Sequence, residues 1–197
     1  MCKHHAKDSH TGRPTPCTVL CDAGGDHARL CRLGGWVVKR HNATRDALAK
    51  EIEAVSQFPV HVEQHDETMT EDDRHPDIDF CDVNGRHRWI DVAVVTPWVR
   101  SWPSEPQAVR AGTLAANMEG VKRRKYPHLP LIPAVWEHLG RPSAGAQTLV
   151  RSLHVGEDPS QRARAISNTW QTLSVCLQRQ NVAMLAAAGH LIPGLPG

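Results

Sequence analysis

The sequence predicts an α/β fold: a small mixed β-sheet flanked by helices, with a short Cys/His-rich unit ahead of it. Three observations carry this. The run Trp89-Ile90-Asp91-Val92-Ala93-Val94-Val95 is almost continuously apolar and β-branched, as a strand covered on both faces must be. Apolar residues at helical spacing lie on either side of it, at Ala47, Leu48, Ile52 and Val55 and again at Leu114, Met118 and Val121. Cys17, Cys21, His27 and Cys31 crowd a stretch poor in large apolar residues, which needs a metal to fold.

Composition sets the outer limits. A chain of 197 residues that is 40% hydrophobic and 22% charged has room for one core plus an appendage, and it is neither disordered nor collagen-like in type. The formal charge of +2 is too mild to argue for a nucleic-acid partner, so clustering must carry that argument. Basic clusters occur at Lys39-Arg40-His41, Arg86-His87-Arg88 and Lys122-Arg123-Arg124-Lys125. The start, MCKHHAKDSH, has no apolar core of a secretory signal, and no apolar run approaches the roughly 20 residues that span a bilayer. Six cysteines without an export signal point to a reducing, intracellular setting, with the thiols as metal ligands or core residues.

In chain order, residues 1–16 read as a mobile arm, with His4, His5 and His10 in a flexible tail. Residues 17–35 form the candidate zinc knuckle, with Cys17, Cys21, His27 and Cys31 as tetrahedral ligands. A metal-free remnant is the open alternative, because the first pair is spaced C-x3-C. Asn42 is the expected N-cap of a helix from Ala43 to Ser56 that carries Glu51 and Glu53. Phe58, Val60 and Val62 alternate as a first strand, and Asp66 to Arg74 is a polar loop.

Two acidic strands follow. Asp77 and Asp79 share one strand face while Ile78 and Phe80 take the other, and Asn84-Gly85 predicts a two-residue hairpin. Asp91 sits on the buried second strand, where an unpaired carboxylate is costly. Asp77 and Asp91 across the hairpin offer hard oxygen ligands for one Mg²⁺ or Mn²⁺, with Asp79 as a third. Pro97, Trp98, Trp102, Pro103 and Pro106 make a flap. A helix over Gln107 to Tyr126 puts Lys122 and Lys125 at the border of its buried face, four residues after Met118 and Val121. Pro127 stops it. Leu129 to Trp136 reads as an edge strand, Ser143 caps a helix through Leu153, and Gly156 to Pro159 is a linker. A last helix carries Ile166, Trp170, Leu173, Leu177, Met184 and Leu185 on its packing face, ahead of a tail over Pro193 to Gly197. The expected organisation is 1–16 arm, 17–35 knuckle, 36–155 main domain and 156–197 terminal helix.

Phosphodiester hydrolysis with a divalent ion requires acids to hold the ion and a cation against the charge that builds on phosphorus. Asp77, Asp91 and Lys122 supply those parts, with Lys125 competing for the lysine role. Asp77 capping a turn and Lys122 reaching out to solvent are the structural alternatives.

The segments RHN (Arg40-His41-Asn42), PD (Pro76-Asp77), DVAVV from Asp91, and K-x-x-K-Y (Lys122 to Tyr126) together resemble the restriction-like endonuclease domain of site-specific non-LTR retrotransposons. This is a nuclease of the PD-(D/E)XK type. The upstream knuckle and the run LGGWVVKRHN are similar to that family too. The resemblance covers roughly Cys17 to Leu153. It implies a restriction-endonuclease-like fold, with the catalytic lysine on a helix after the second acid. Position 93, where the common nuclease pattern has its lysine, is Ala93. It implies Mg²⁺-dependent nicking of DNA in the nucleus or nucleocytoplasm, with DNA and element RNA as partners. Lys39, Arg40, His41, Asn42, Arg123 and Arg124 would then grip nucleic acid. A reverse transcriptase domain normally precedes this unit in the same polypeptide. Here it is absent and Glu71-Asp72-Asp73 does not replace it, so a detached piece is expected. A nucleic-acid-binding remnant without catalysis is the alternative function.

Overall fold

A four-stranded mixed sheet runs in chain order, β3 (Val60–Val62), β4 (Ile78–Cys81), β5 (His87–Val95) and β6 (Leu131–Glu137). The first three strands are antiparallel neighbours, and β6 lies parallel to β5. The computed structural model describes residues 1–7, 14–21, 23, 25–62, 76–96, 111–156 and 158–189. The expected loop at 66–74, the flap, the start of the Gln107 helix, His10, Glu71-Asp72-Asp73 and the tail at 193–197 therefore lie wholly or mainly outside the described residues.

Alternation along the strands decides the two faces. Ile78, Phe80, Ile90, Val92, Ala134 and Trp136 point to one side. There they meet Leu48, Ala49 and Ile52 of α2 (Trp36–Val55), Leu149 and Val150 of α4 (Ala144–Leu153), and Leu173 and Leu177 of α5 (Pro159–Ala187). Burying a side chain the size of Ile78 or Ile90 stabilises by about 2 kcal/mol, which makes this shared cluster the main source of cohesion. On the opposite face Ala93, Val95 and Val135 pack against Leu114, Ala115 and Met118 of α3 (Thr113–Lys125).

The β4–β5 connection is longer than the two-residue turn that Asn84-Gly85 suggests. Cys81 pairs with His87, and Asp82 N–H donates to Arg86 O across the loop. Asp82 Oδ1 accepts from Asn84 N–H and Arg86 N–H, while Gly85 takes the left-handed conformation at φ 71° that closes such a turn.

The helix expected from Ala43, α2, also differs. It starts at Trp36, behind Gly35 at φ 68°, instead of at Ala43, so Asn42 is an interior residue and not the N-cap. The expected cap of the Ser143 helix is present, Ser143 Oγ accepting from Ala146 N–H, and the expected linker supplies a second cap, Asp158 accepting from Ser160 N–H ahead of Pro159 in the first turn. Val121, expected on the buried face of α3, is 44% exposed and lies at the margin of a stripe centred on Ala115, Met118 and Lys122.

Residues 1–7 are not an unattached arm. β1 (His5–Lys7) pairs antiparallel with β2 (Pro14–Pro16), and the pairing continues as Cys17 N–H to His4 O and Cys2 N–H to Val19 O. His4 is buried, with Nε2 3.1 Å from Met184 O on α5. Among the described residues no helix is long and apolar enough to cross a membrane.

Candidate active site and metal cluster

Ladder geometry brings the two acids together. The last β4–β5 pair is Ile78 with Ile90, and one step further the register sets Asp77 opposite Asp91. Asp91 leaves on the face that α3 covers, as Ala93 does, while Asp77, just ahead of β4, is held between the Val92 N–H and His41 of α2. On α3, Leu114 and Met118 anchor the helix against Ala93 and Val95, and one turn beyond Met118 comes Lys122. Its Nζ reaches Asp91 Oδ1 at 2.6 Å. Ala93, two residues after Asp91, is part of the apolar seat of α3, so the lysine above Asp91 arrives from the helix and not from the strand.

The two carboxylates are buried and unequally satisfied. Asp77 is 2% exposed, and it has donors on both oxygens: His41 Nε2 at 3.0 Å from Oδ1, and Val92 N–H at 2.6 Å from Oδ2. Asp91 is 4% exposed, and its Oδ2 is buried with no hydrogen-bond partner. Burial pushes the Asp91 carboxyl above the usual range, the Lys122 ammonium pulls it down, and Asp77 raises it again by charge and by hydrogen bonding. Two carboxylates in one dry place with an orphaned oxygen are a local excess of negative charge.

Asp79 shares the face of Asp77 by alternation, but its Oδ2 is held by His87 Nε2 at 3.0 Å, toward the hairpin loop. Lys125 is exposed, with Nζ 5.0 Å from the centre of the Tyr126 ring, and makes no described contact with the acids. Glu51 accepts from Thr169 Oγ1 on the other side of the sheet. Of the residues expected to grip nucleic acid, Lys39 is exposed over the Trp36 ring, and Arg123 and Arg124 are exposed on the last turn of α3. Arg40 is not available for that role: it is 2% exposed, donates to Asn181 Oδ1 at 3.1 Å, and burial lowers its pKa to about 10. Asn42 is half-buried inside α2 with Oδ1 enclosed. His41 faces Asp77, a position the RHN segment alone does not disclose.

A second group of titratable side chains gathers from the residues ahead of α2. One ligand atom each from Cys2, Cys17, His27 and Cys31 lies within 4.8 Å of the rest. The cluster differs from the expected ligand set, in which Cys21 held the place that Cys2 takes. Cys21 is half-buried and packs beside the cluster. His27 and Cys31 stand one turn apart because α1 (Asp26–Leu30) is a single helical turn closed by Cys31 N–H to His27 O. Cys17 Sγ is 3.2 Å from His27 Nε2, and burial, with Cys17 and Cys2 nearby, pushes the Cys31 thiol up to about 12. Three buried sulfurs and an imidazole at this spacing could hold a metal ion, whose charge would let the thiols ionise. The sequence signal for Cys2 was only its residue type, since pairing across β1 and β2 is what delivers it.

No protein-family model matches the chain, and no curated protein matches it either.

Proposed function

We propose that the protein is a metal-dependent DNA endonuclease of the restriction-like type, related to the nuclease domain of site-specific non-LTR retrotransposons. One observation carries the reading: Asp77, Asp91 and Lys122 come from three separate stretches of the chain and gather around Asp91 on β5. A lysine that arrives from a helix after the second acid is also what the resemblance calls for.

The donor set fits a divalent cation. Asp91 Oδ2 is an unpartnered buried oxygen, and the facing Asp77 carboxylate is fixed by His41 and Val92 N–H. Asp77 and Asp91 would hold Mg²⁺ or Mn²⁺, which when bound supplies Lewis acidity and a water of lowered pKa. The protein's own groups do the rest. His41 and the Val92 amide hold Asp77 in one orientation. Lys122, 20% exposed at its side chain, is the member of the set that solvent reaches, and its ammonium would offset negative charge building on a phosphate. Exposed Lys39, Arg123 and Arg124 supply sequence-independent attraction for a phosphate backbone. The Cys/His cluster takes a structural zinc, as three sulfurs and one nitrogen suit a tetrahedral site. A nuclease of this retrotransposon kind would act in the nucleus.

The test is nicking of supercoiled plasmid with Mg²⁺ or Mn²⁺ by wild type, Asp91→Ala and Lys122→Ala. Conversion to open circle by wild type alone is expected. Equal cutting by all three would sink the nuclease reading.

A further inference from the structure

We propose that Cys2, and not Cys21, completes the zinc site, so that the ion is a clasp joining residues 1–7 to the Cys17–Cys31 unit and to the end of α5. The inference rests on the zinc reading of the cluster and is independent of the nuclease reading.

The backbone explains why Cys2 is delivered there. Cys2 pairs with Val19 through its N–H, and Cys17 lies two residues before Val19 on the facing segment. Residues at such diagonal positions of an antiparallel pair share a face, which places the Cys2 and Cys17 thiols side by side. The chain bends at Val19, ahead of Cys21. Cys2, Cys17 and Cys31 are 4–5% exposed, as closed structural ligands are, whereas Cys21 is only half-buried.

The same segment is tied to α5. Lys3 N–H donates to Ala188 O, His4 Nε2 meets Met184 O, and Leu185 and Ala188 pack against the cysteines. The fit is close: a Cβ added at Gly189 would stand 2.5 Å from Lys3 Cδ. Yet the apolar content of this corner is small, chiefly Ala28, Ala188, Leu33 and Leu185 besides the cysteines. A pair of three-residue strands over so thin a core does not hold by itself. Coordination bonds through Cys2 supply the missing cohesion and couple two stretches that meet at a sequence separation of 180 residues, His4 to Met184.

Residues 1–7 and 184–189 should therefore loosen together when the ion is removed. In the full chain carrying zinc, iodoacetamide labelling read by peptide mass spectrometry should find Cys2, Cys17 and Cys31 reacting on the order of tenfold more slowly than after chelation. Cys21 should react alike in both states. Hydrogen exchange should rise at residues 1–7 and 184–189 in parallel on chelation. Variants give a second reading: Cys2→Ser should surrender zinc to a competing chelator at a lower concentration than wild type, and Cys21→Ser at the same one. Protection of Cys21 with Cys2 indifferent to zinc, or zinc lost from Cys21→Ser and kept by Cys2→Ser, overturns the clasp. A wild-type chain that retains no zinc overturns the zinc reading with it, while leaving the acid site untouched.

Discussion

Lys122 Nζ lies 2.6 Å from Asp91 Oδ1, while Oδ2 of the same carboxylate is enclosed without a partner. The lysine is thus the cation that neutralises Asp91, which also has Asp77 close by. Removing it in Lys122→Met leaves that buried charge uncompensated, and a loss of about 3–5 kcal/mol in urea unfolding is expected. Asp91→Asn removes the repulsion instead, and should cost about 1 kcal/mol or less while abolishing nicking. Equal losses for the two variants would mean that the acids do not repel one another in the folded chain.

The orphaned Asp91 oxygen also predicts that a divalent cation stabilises the fold. Ligand binding to the native state alone adds about 2.7 kcal/mol at a hundred times the dissociation constant. Thermal unfolding with Mg²⁺ should show a rise in midpoint for wild type, measured against Na⁺ at matched ionic strength to remove general screening. The rise should vanish in Asp77→Asn and in Asp91→Asn. A flat wild-type response would remove the case for a cation between the acids.

How much of this was legible in the sequence depended on the range of the interaction. The placement of Ile78 and Phe80 on the core face follows from period-two geometry and is borne out, whereas Asp77 stands just outside the strand and takes His41 and the Val92 N–H as partners. Lys122 was placed through helical spacing from Met118, and that spacing sets it over Asp91. The fate of Arg40 was misread through one local error. With Asn42 taken as N-cap, Arg40 lies outside the helix and looks available to solvent. With the helix starting at Trp36, Arg40 joins Thr44, Leu48 and Ile52 at four-residue intervals on the buried stripe. Cys2 was out of reach for a different reason. Its partners are set by strand pairing across residues 2–19, and no linear spacing reports such a pairing.

Gly145 marks where α4 closes on the sheet. A Cβ there would meet Pro133 O at 2.5 Å and Glu119 Oε1 at 2.7 Å, and the Gly145 N–H itself donates to Glu119 Oε1 at 2.6 Å. Pro133 is the β6 residue opposite Asp91, so pressure at this point is passed to the strand beside the acid site. Gly145→Ala should destabilise by about 1–3 kcal/mol through overpacking. Gly156→Ala, where nothing lies within 4 Å, is the control and should stay within about 0.5 kcal/mol of wild type. Comparable denaturant midpoints for the two variants would contradict the close approach.

His138 gives the fold a defined acid sensitivity. It is 3% exposed at the end of β6, and burial, reinforced by the Arg29 and Arg40 charges and opposed by Asp26, lowers its pKa from 6.5 to about 4. The unfolded chain therefore binds a proton near pH 6.5 that the folded chain refuses until about pH 4. With more protons on the unfolded state, stability falls as pH falls through this window, with a slope approaching about 1.4 kcal/mol per pH unit from this group. His4, also lowered chiefly by burial, adds to the trend in the same direction. Comparing wild type with His138→Asn isolates the one residue. The wild-type advantage in unfolding free energy, measured from pH 7 to pH 5, should shrink steadily with acidification, whereas a difference independent of pH would show that His138 is protonated alike in both states.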